Sequence, residues 1–582
     1  MNRRVSRRQF LGAIASGTAV SMLSAATSQR ASAQGRRGRP NVILIITDDQ
    51  GYGDLRCHGN PIINTPNMDR LHGQSVRLTN YHSDPLCSPT RAALMTGRYS
   101  ARVGVWCTIR GRSLLRADEV TMANVFAQNG YRTGIFGKWH LGDNYPFRPQ
   151  DRGFQECVVH GGGGVGQTPD FWGNDYFDDT YWHNGVPQKY TGYCTDVFFA
   201  EALKFIEANK DQPFFVYIPT NAPHGPYNVE DRYADPYRRQ GVPEQRARFY
   251  GMITNIDENL GKLLARLKEW GLEENTIVIF TTDNGTAAGF DGRSGYNAGM
   301  RARKGTPYDG GHRVPCFIRW PGRLPAGRDV AQLCAHFDLL PTLIDLCGLN
   351  PPEGVKFDGK SLVPLLEGKE AQWPERTLVV QRQQIEHPAK WQASAVMTER
   401  WRLVNGEELY DIKADPGQQH DLAQAHPDVV AQLRQAYEQW WADVSQRFDE
   451  YCCIVIGSEQ ENPSRLTGHD WHDCPAVPWS QGHIRRANMY TNGFWAVEVA
   501  RAGRYEIALR RWPREEDSPI DATRARLKIQ DVDETKPVPE GAREVTFTVR
   551  LKPGQTRLQT WLIDDEKGKS RGAYFVYVKY LG

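Results

Sequence analysis

The segment Cys87-Ser88-Pro89-Thr90-Arg91 has the residue types and spacing to do chemistry. Pro89 suits the first turn of a helix, and Gly97 suits its stop, with Ala92-Ala93-Leu94-Met95-Thr96 between them. Cys87 is then expected at a helix N-terminus, where free amide groups and the helix dipole favour an anion. Arg91 lies one turn later, so its guanidinium can return to the same place. As an unmodified side chain Cys87 would be a thiol of lowered pKa; the plainer alternative is a buried cysteine that precedes a helix. A second set of groups consists of Asp48-Asp49, Lys138 and His140, Asn221-Ala222-Pro223-His224, and Asp283-Asn284. Three carboxylates and an amide are hard oxygen ligands, better suited to Ca²⁺ or Mg²⁺ than to zinc or copper. Taken one at a time, such residues are equally at home as helix caps and turns.

The elements around these groups argue that they belong together. Asn41–Ile46 is a continuous apolar run, the pattern of a strand buried on both faces. Tyr131–Phe136, Pro213–Pro219, Thr276–Thr281 and Val314–Trp320 read the same way, and helical stretches such as Thr121–Gln128, Val197–Asn209 and Tyr250–Trp270 separate them. Buried strands alternating with helices predict an α/β domain with a mostly parallel sheet. In such sheets ligand sites form beyond the carboxyl ends of the strands. Each of the four polar groups follows one of these strands, so four strands deliver chemistry to one edge.

C-x-P-x-R followed by an Ala/Leu-rich stretch and Thr96-Gly97-Arg98 resembles the signature of the type I sulfatases, within the alkaline phosphatase superfamily. Thr47-Asp48-Asp49-Gln50-Gly51-Tyr52-Gly53-Asp54-Leu55, Asn64-Thr65-Pro66-Asn67-Met68-Asp69-Arg70-Leu71, Gly137-Lys138-Trp139-His140-Leu141-Gly142 and Thr282-Asp283-Asn284-Gly285 stand in the family's order. So do Lys304-Gly305-Thr306, Gly310-Gly311-His312-Arg313-Val314-Pro315 and Glu408-Leu409-Tyr410-Asp411, and the resemblance covers roughly residues 41 to 446. It implies an alkaline-phosphatase-like α/β fold and a sulfuric ester hydrolase whose Cys87 is oxidised to formylglycine by a formylglycine-generating enzyme. By motif, Asp48, Asp49, Asp283, Asn284 and the modified Cys87 would hold the cation, with calcium favoured over magnesium. A hydroxyl of the aldehyde hydrate would attack sulfur, Arg91 and Lys138 would stabilise the charge, and His140 would take the proton that expels sulfate. His224 and Lys304 would bind the sulfate and assist the leaving oxygen. Asp309 and His312 depart from the family's usual Glu and aliphatic residue; His312 is expected to be an ordinary hydrogen-bonded histidine.

The nearest rival is a formylglycine-dependent phosphodiesterase or phosphonate hydrolase of the same superfamily, which tends to have Asp-His where this chain has Asp283-Asn284. A non-catalytic carbohydrate-binding protein is more remote, since every motif position is filled.

The remaining features bound the setting. With 582 residues the chain exceeds a single core, and Lys plus Arg exceed Asp plus Glu by only 71 − 68 = +3, unlike a nucleic-acid binder. Ser6-Arg7-Arg8-Gln9-Phe10-Leu11, a weakly apolar run and Ala31-Ser32-Ala33 read as a twin-arginine signal over 1–33. This implies passage through the twin-arginine export machinery to the periplasm or beyond. No later segment has the length of a membrane span. Eleven cysteines form no zinc-type pairs, and most are expected to be buried small hydrophobes. We expect a catalytic α/β domain over 41–395, a small α+β subdomain over 396–450 completing it, and an irregular segment plus a β-sandwich over 451–582. Six strand-like runs support the last: Phe494–Ala500, Arg504–Trp512, Arg524–Gln530, Val545–Leu551, Thr556–Ile563 and Ala573–Tyr580. Trp471, Trp479 and Trp495 could stack on sugar rings or fill the core. Gly161–Gly164 lacks the Lys-Ser/Thr of a phosphate loop and is expected to be a flexible loop near the pocket, with His160 and His183 as candidate substrate contacts. The sulfated substrate, a small aryl ester or a saccharide, is expected to be a polysaccharide sulfate.

Overall fold

The computed structural model describes residues 39–369 and 373–582; the twin-arginine segment lies outside the described residues. A ten-stranded sheet organises the first part of the chain, and its five central strands, Thr276–Thr282, Asn41–Thr47, Phe214–Pro219, Arg132–Lys138 and Glu156–His160, run parallel in that spatial order. Cys316–Arg319 joins Thr276–Thr282 antiparallel, so the expected Val314–Trp320 strand sits in the sheet but against its main direction.

The continuous apolar runs follow from two helical layers. Ile43, Ile45, Val216, Ile218, Val278 and Phe280 face a core shared with the helices Cys194–Asn209 and Glu244–Glu269. Val42, Leu44, Ile46, Phe215, Tyr217, Ile277 and Ile279 face the opposite core, shared with Met122–Gln128 and Leu339–Cys347. Successive side chains alternate between faces; with both faces covered, every position must be apolar. The helix expected at Tyr250–Trp270 begins earlier, at Glu244. Its first turns carry no apolar period and rest instead on ion pairs of Glu244 with Arg238 and Arg248.

A four-stranded antiparallel sheet, Leu378–Gln381, Ser394–Met397, Trp401–Val404 and Glu408–Asp411, packs against the helix Pro427–Val444. It starts ahead of residue 396, because its first two strands lie in a segment with Pro388 and polar residues between them that hides the pattern. Two further sheets follow. Ile454–Ile456, Phe494–Val499, Gly554–Asp564, Arg524–Ile529 and Val532–Pro537 form one, with Lys569–Arg571 paired to Gly554–Asp564. Ser464–Thr467, Phe575–Tyr580, Gly503–Arg510 and Val545–Leu551 form the other. Their inner faces share one core, as in a sandwich. The sequence reading missed Val532–Pro537 because it is a largely exposed edge strand ending in proline.

That core also takes in Leu114 and Phe147 from the first part of the chain, and Trp471 and Trp495 are fully buried in it. No helix among the described residues is long and apolar enough to cross a membrane. All eleven cysteines are unpaired, and all but Cys57 and Cys453 are buried.

Candidate active site

Neighbouring strands lie about 4.8 Å apart, so the four adjacent ends at Thr47, Lys138, Pro219 and Thr282 open within about 14 Å of one another. Asp48 and Asp49 follow the first, Lys138 closes the second, Asn221 and His224 follow the third, and Asp283 and Asn284 follow the fourth. The helix Cys87–Thr96 points its N-terminus at this edge, with Cys87 as its first residue. Gly97 ends it at φ 68°, donating its N–H to Ala93 O at 2.9 Å, a left-handed stop that glycine makes without steric cost. Thr90 fixes the helix to the sheet by donating its hydroxyl to Asp283 O (2.7 Å) and Asp84 O (3.0 Å).

The charges interlock. Arg91, on the same helix, donates to Asp283 Oδ2 at 2.9 Å, stands 3.9 Å from Asp48 Oδ1, and gives its other terminal nitrogen to Lys138 O. Lys138 Nζ meets Asp48 Oδ2 at 2.6 Å, and Lys304 Nζ meets Asp49 Oδ1. Asn284 donates to Asp49 Oδ1 at 3.0 Å, and the Asp49 amide donates to Asp283 Oδ1 at 3.0 Å. Asp49 (φ 70°) and His140 (φ 59°) both hold left-handed backbone that a side chain adopts at a cost, the kind of strain that collects at functional sites.

Burial sets the protonation states. It raises the Asp48 carboxyl well above its ordinary range, and the neighbouring Asp283 carboxylate adds to the shift. Burial acts the same way on Asp49, but Lys304 and His224 outweigh it and leave that carboxyl lowered. The Cys87 thiol is raised by burial despite Lys138 and Lys304, contrary to the lowered pKa expected from its helix position: desolvation outweighs the two lysines. His140 is held neutral by burial, by Lys138 and by His469. Its Nε2 lies 2.9 Å from Thr108 O, which can only accept, so the proton sits on Nε2 and Nδ1 carries the lone pair. That Nδ1 is buried with no partner among the described residues. His224 is lowered to about 4, first by burial and then by Lys304 against the pull of Asp49, and its Nδ1 lies 2.6 Å from Gly225 O.

Cys87, His140, His224 and Lys304 line one hollow of about 280 Å³, together with Thr108, Gly163, Gln167, Gln384 and Trp479. Of the last five, Gly163 and Trp479 are singled out by the sequence, while Thr108, Gln167 and Gln384 carry no motif in it. Gln384 is placed by reciprocal hydrogen bonds with Thr108 (2.8 and 2.9 Å). The Gly161–Gly164 run is near the pocket as expected, but it is pinned rather than loose. Its amides donate to Asp170 (3.1 Å), Asp143 (2.9 Å) and Gln167 (2.8 Å), and a Cβ on Gly163 would overlap the His140 ring. His160 and His183 line a different environment. His160 is buried beside a separate cavity of about 550 Å³ with its Nδ1 at Gly161 O, and His183 is held by Glu156 and Gln188. His312 meets His82 at 2.9 Å and Pro307 O at 3.1 Å, while Asp309 pairs with the buried Arg402 at 2.9 Å.

The donor set fits a divalent cation. Ligand atoms of Asp48, Cys87 and Asp283 lie within 4.8 Å of one another, all buried. Asp48 Oδ1 and Asn284 Oδ1 are buried and accept no hydrogen bond among the described residues; oxygens of this kind are costly unless something hydrogen-bonds or coordinates them.

Known proteins place this arrangement. A profile described as Sulfatase matches residues 40–349, and one described as N-sulphoglucosamine sulphohydrolase, C-terminal, matches residues 303–443. N-acetylgalactosamine-6-sulfatase of Canis lupus familiaris is 33% identical over 379 residues, covering 61% of this chain and 71% of that protein. Arylsulfatase A of Homo sapiens is 35% identical over 359 residues, covering 56% and 68%. Among solved structures, Ps i-CgsB in complex with k-i-k-neocarrahexaose superposes with a TM-score of 0.64 at 28% identity over 71% of this chain and 95% of that one. Since the Sulfatase profile spans more than half of the 582 residues and runs through every strand end that carries the site, the chain belongs to the sulfatase family of the alkaline phosphatase superfamily, whose members hydrolyse sulfuric esters.

Proposed function

We propose that this sulfatase removes sulfate from a sulfated saccharide, with formylglycine made from Cys87 and a calcium ion, magnesium being the alternative, held by Asp48, Asp49, Asp283, Asn284 and the modified Cys87. The observation that carries this reading is the placing of Cys87, at a helix N-terminus, within one buried ligand cluster with Asp48 and Asp283. When bound, the cation supplies Lewis-acid polarisation of a sulfate oxygen, and the aldehyde hydrate supplies an oxygen nucleophile that a thiol cannot.

The protein's own residues do the rest. With a divalent cation holding Asp48 as a carboxylate, Asp48, Asp49 and Asp283 would be balanced by Arg91, Lys138 and Lys304, and the cation's own charge would leave the pocket net positive, which suits a sulfate ester anion. Arg91 and Lys138 orient the side chain at position 87 from below, held against Asp283 and Asp48. Lys304 and His224 stand on the solvent side of Asp49 and bind sulfate oxygens. His140, neutral and with Nδ1 free to accept, takes a proton from the group at position 87. Gly163 packed on its ring keeps that nitrogen from turning away.

We take residues 41–450 as the catalytic unit and 451–582 as an appended module. The twin-arginine pattern over 1–33 supports export to the periplasm or outside, after maturation by a formylglycine-generating enzyme inside the cell. The saccharide reading draws on relatives named for N-acetylgalactosamine 6-sulfate and solved with a neocarrahexaose.

The test is co-production with a formylglycine-generating enzyme, calcium supplementation, and measurement of free sulfate from carrageenan and N-acetylgalactosamine-sulfate oligosaccharides, their monosaccharides and an aryl sulfate. A mass shift in the Cys87 peptide and release from a saccharide, absent in Cys87→Ala, are expected. Release from the aryl sulfate alone would sink the saccharide part, and phosphate release from a diester outpacing sulfate release would sink the whole reading.

A further inference from the structure

The hollow that holds Cys87 does not end at the catalytic domain. Its outer wall is Trp479, which comes from the irregular segment after residue 450. Trp479 and Ile109 also line a second hollow of about 470 Å³, so the two spaces share a wall made of these two side chains. Among the described residues Trp479 is the only aromatic one in the group of exposed large hydrophobics, with 41% of its surface open. An exposed indole is ordinary on a loop that moves, but this one is clamped. Trp479 O accepts from the Thr168 amide at 3.0 Å, Thr168 Oγ1 donates to Pro478 O, Ser480 bridges Gln167, and the Gln481 amide donates to Gly166 O at 3.1 Å. Its ring stands edge-on to His483, with centroids 5.0 Å apart and planes at 89°.

The second hollow has a definite charge. No Asp or Glu lines it, and Arg486, exposed and without a carboxylate partner among the described residues, stands in it with Asn488. His483 is held toward its neutral form by burial and by Arg486 itself, so the local charge is that of one guanidinium. A rigid, open aromatic face next to a free cation and an amide, bordering a pocket for a sulfate ester, matches a sugar ring with an anionic substituent.

We propose that Trp479, Ile109 and Arg486 form a second saccharide subsite. The sugar next to the one losing sulfate stacks on Trp479, and its sulfate or carboxylate pairs with Arg486. The enzyme would then select oligosaccharides over monosaccharides, and the appended module would be part of the binding site. This rests on the saccharide reading above.

The experiment compares kcat/KM for a sulfated tetrasaccharide from the panel and for the matching sulfated monosaccharide, in the wild type, Trp479→Ala, Trp479→Phe and Arg486→Ala. Trp479→Ala, at a residue that also borders the reaction hollow, is expected to lose about tenfold on the tetrasaccharide, mostly in KM, and clearly less on the monosaccharide, with Trp479→Phe recovering most of the difference. Arg486→Ala is expected to lose several-fold on the tetrasaccharide only and to weaken its salt dependence. Calorimetry with the Cys87→Ala protein and the same tetrasaccharide reads the subsite without turnover and should show the same ranking. Equal losses on both substrates would assign Trp479 to shaping the reaction pocket, and no loss on either would leave the second hollow without a role; each overturns the proposal while the saccharide reading stands. A wild type that hydrolyses the aryl sulfate and no saccharide overturns both.

Discussion

The edge of the central sheet and the outer face of the C-terminal sandwich use the same ion pairs under opposite conditions. At the sheet edge Arg91 and Asp283 are sealed from solvent, with side-chain exposures of 1% and 0%. On the sandwich Arg524 and Asp565 make a shorter contact, 2.5 Å against 2.9 Å, while 48% and 46% exposed. Water screens the second pair, and it is worth on the order of 0–1 kcal/mol. The first has lost its hydration, so breaking it leaves an uncompensated buried charge. The strands show the same division. Val545–Leu551 alternates buried and open positions, because the sandwich faces water on one side, whereas Asn41–Thr47 is buried throughout. A sheet covered on both faces can place charge only at its strand ends. There the charges must neutralise one another or await a ligand, and this concentrates the chemistry.

The contrast can be broken most severely at Cys87. Cys87→Ala should cut sulfate release by more than about a thousandfold while leaving the fold and its thermal midpoint nearly unchanged; turnover retained at wild-type level would remove Cys87 from the chemistry. Next in size is Arg91→Ala, which strands the buried Asp283 and should lower unfolding stability by about 3–5 kcal/mol, read by denaturant unfolding in the presence of a chelator. Trp471→Ala opens the sandwich core at a residue with no exposed surface. A loss of about 3–5 kcal/mol is expected in that module, with a smaller fall in kcat/KM, since residues 468–481 run from this core to the pocket wall.

A fourth variant sharpens the comparison through pH. His58, stacked on Tyr52 and bonded to its carbonyl, is lowered to about 4 chiefly by burial. Holding it neutral costs nothing above its ordinary value of about 6.5. As pH falls from there toward 4 the unfolded chain takes up a proton that the native state refuses, and stability declines. His58→Gln should remove on the order of 1 kcal/mol of that decline between pH 6.5 and 4, as the difference between two pH–stability curves. Smallest of all, Arg524→Ala should change stability by less than about 0.5 kcal/mol; a large loss there would end the distinction between the two regions.

Much of the site was legible because its signals are local. A strand buried on both faces must be apolar along its whole length, and the first polar residue after it marks where it leaves the sheet; Asp48, Lys138, Asn221 and Asp283 were found that way. Pro89 and Gly97 bracket the Cys87 helix for equally local reasons. The antiparallel sheet from Leu378 and the edge strand Val532–Pro537 were missed because short or exposed strands leave little pattern. The raised pKa of the Cys87 thiol was not legible, because nothing local in the sequence decides whether the start of its helix is sealed from water.

The sequence by itself therefore determined the elements, the residues at their ends and the family chemistry those residues match. Only the tertiary structure decided which ends meet. The strands at 41–47, 132–138, 214–219 and 276–282 become neighbours through helices packed on both faces, a long-range choice that no single segment encodes. It also decided that Gly163 lies on the His140 ring and that Trp479, hundreds of residues from Cys87 in the chain, closes the same pocket. Those contacts come from cores that form between distant segments, and their cause is the burial of apolar surface, which is indifferent to separation along the chain.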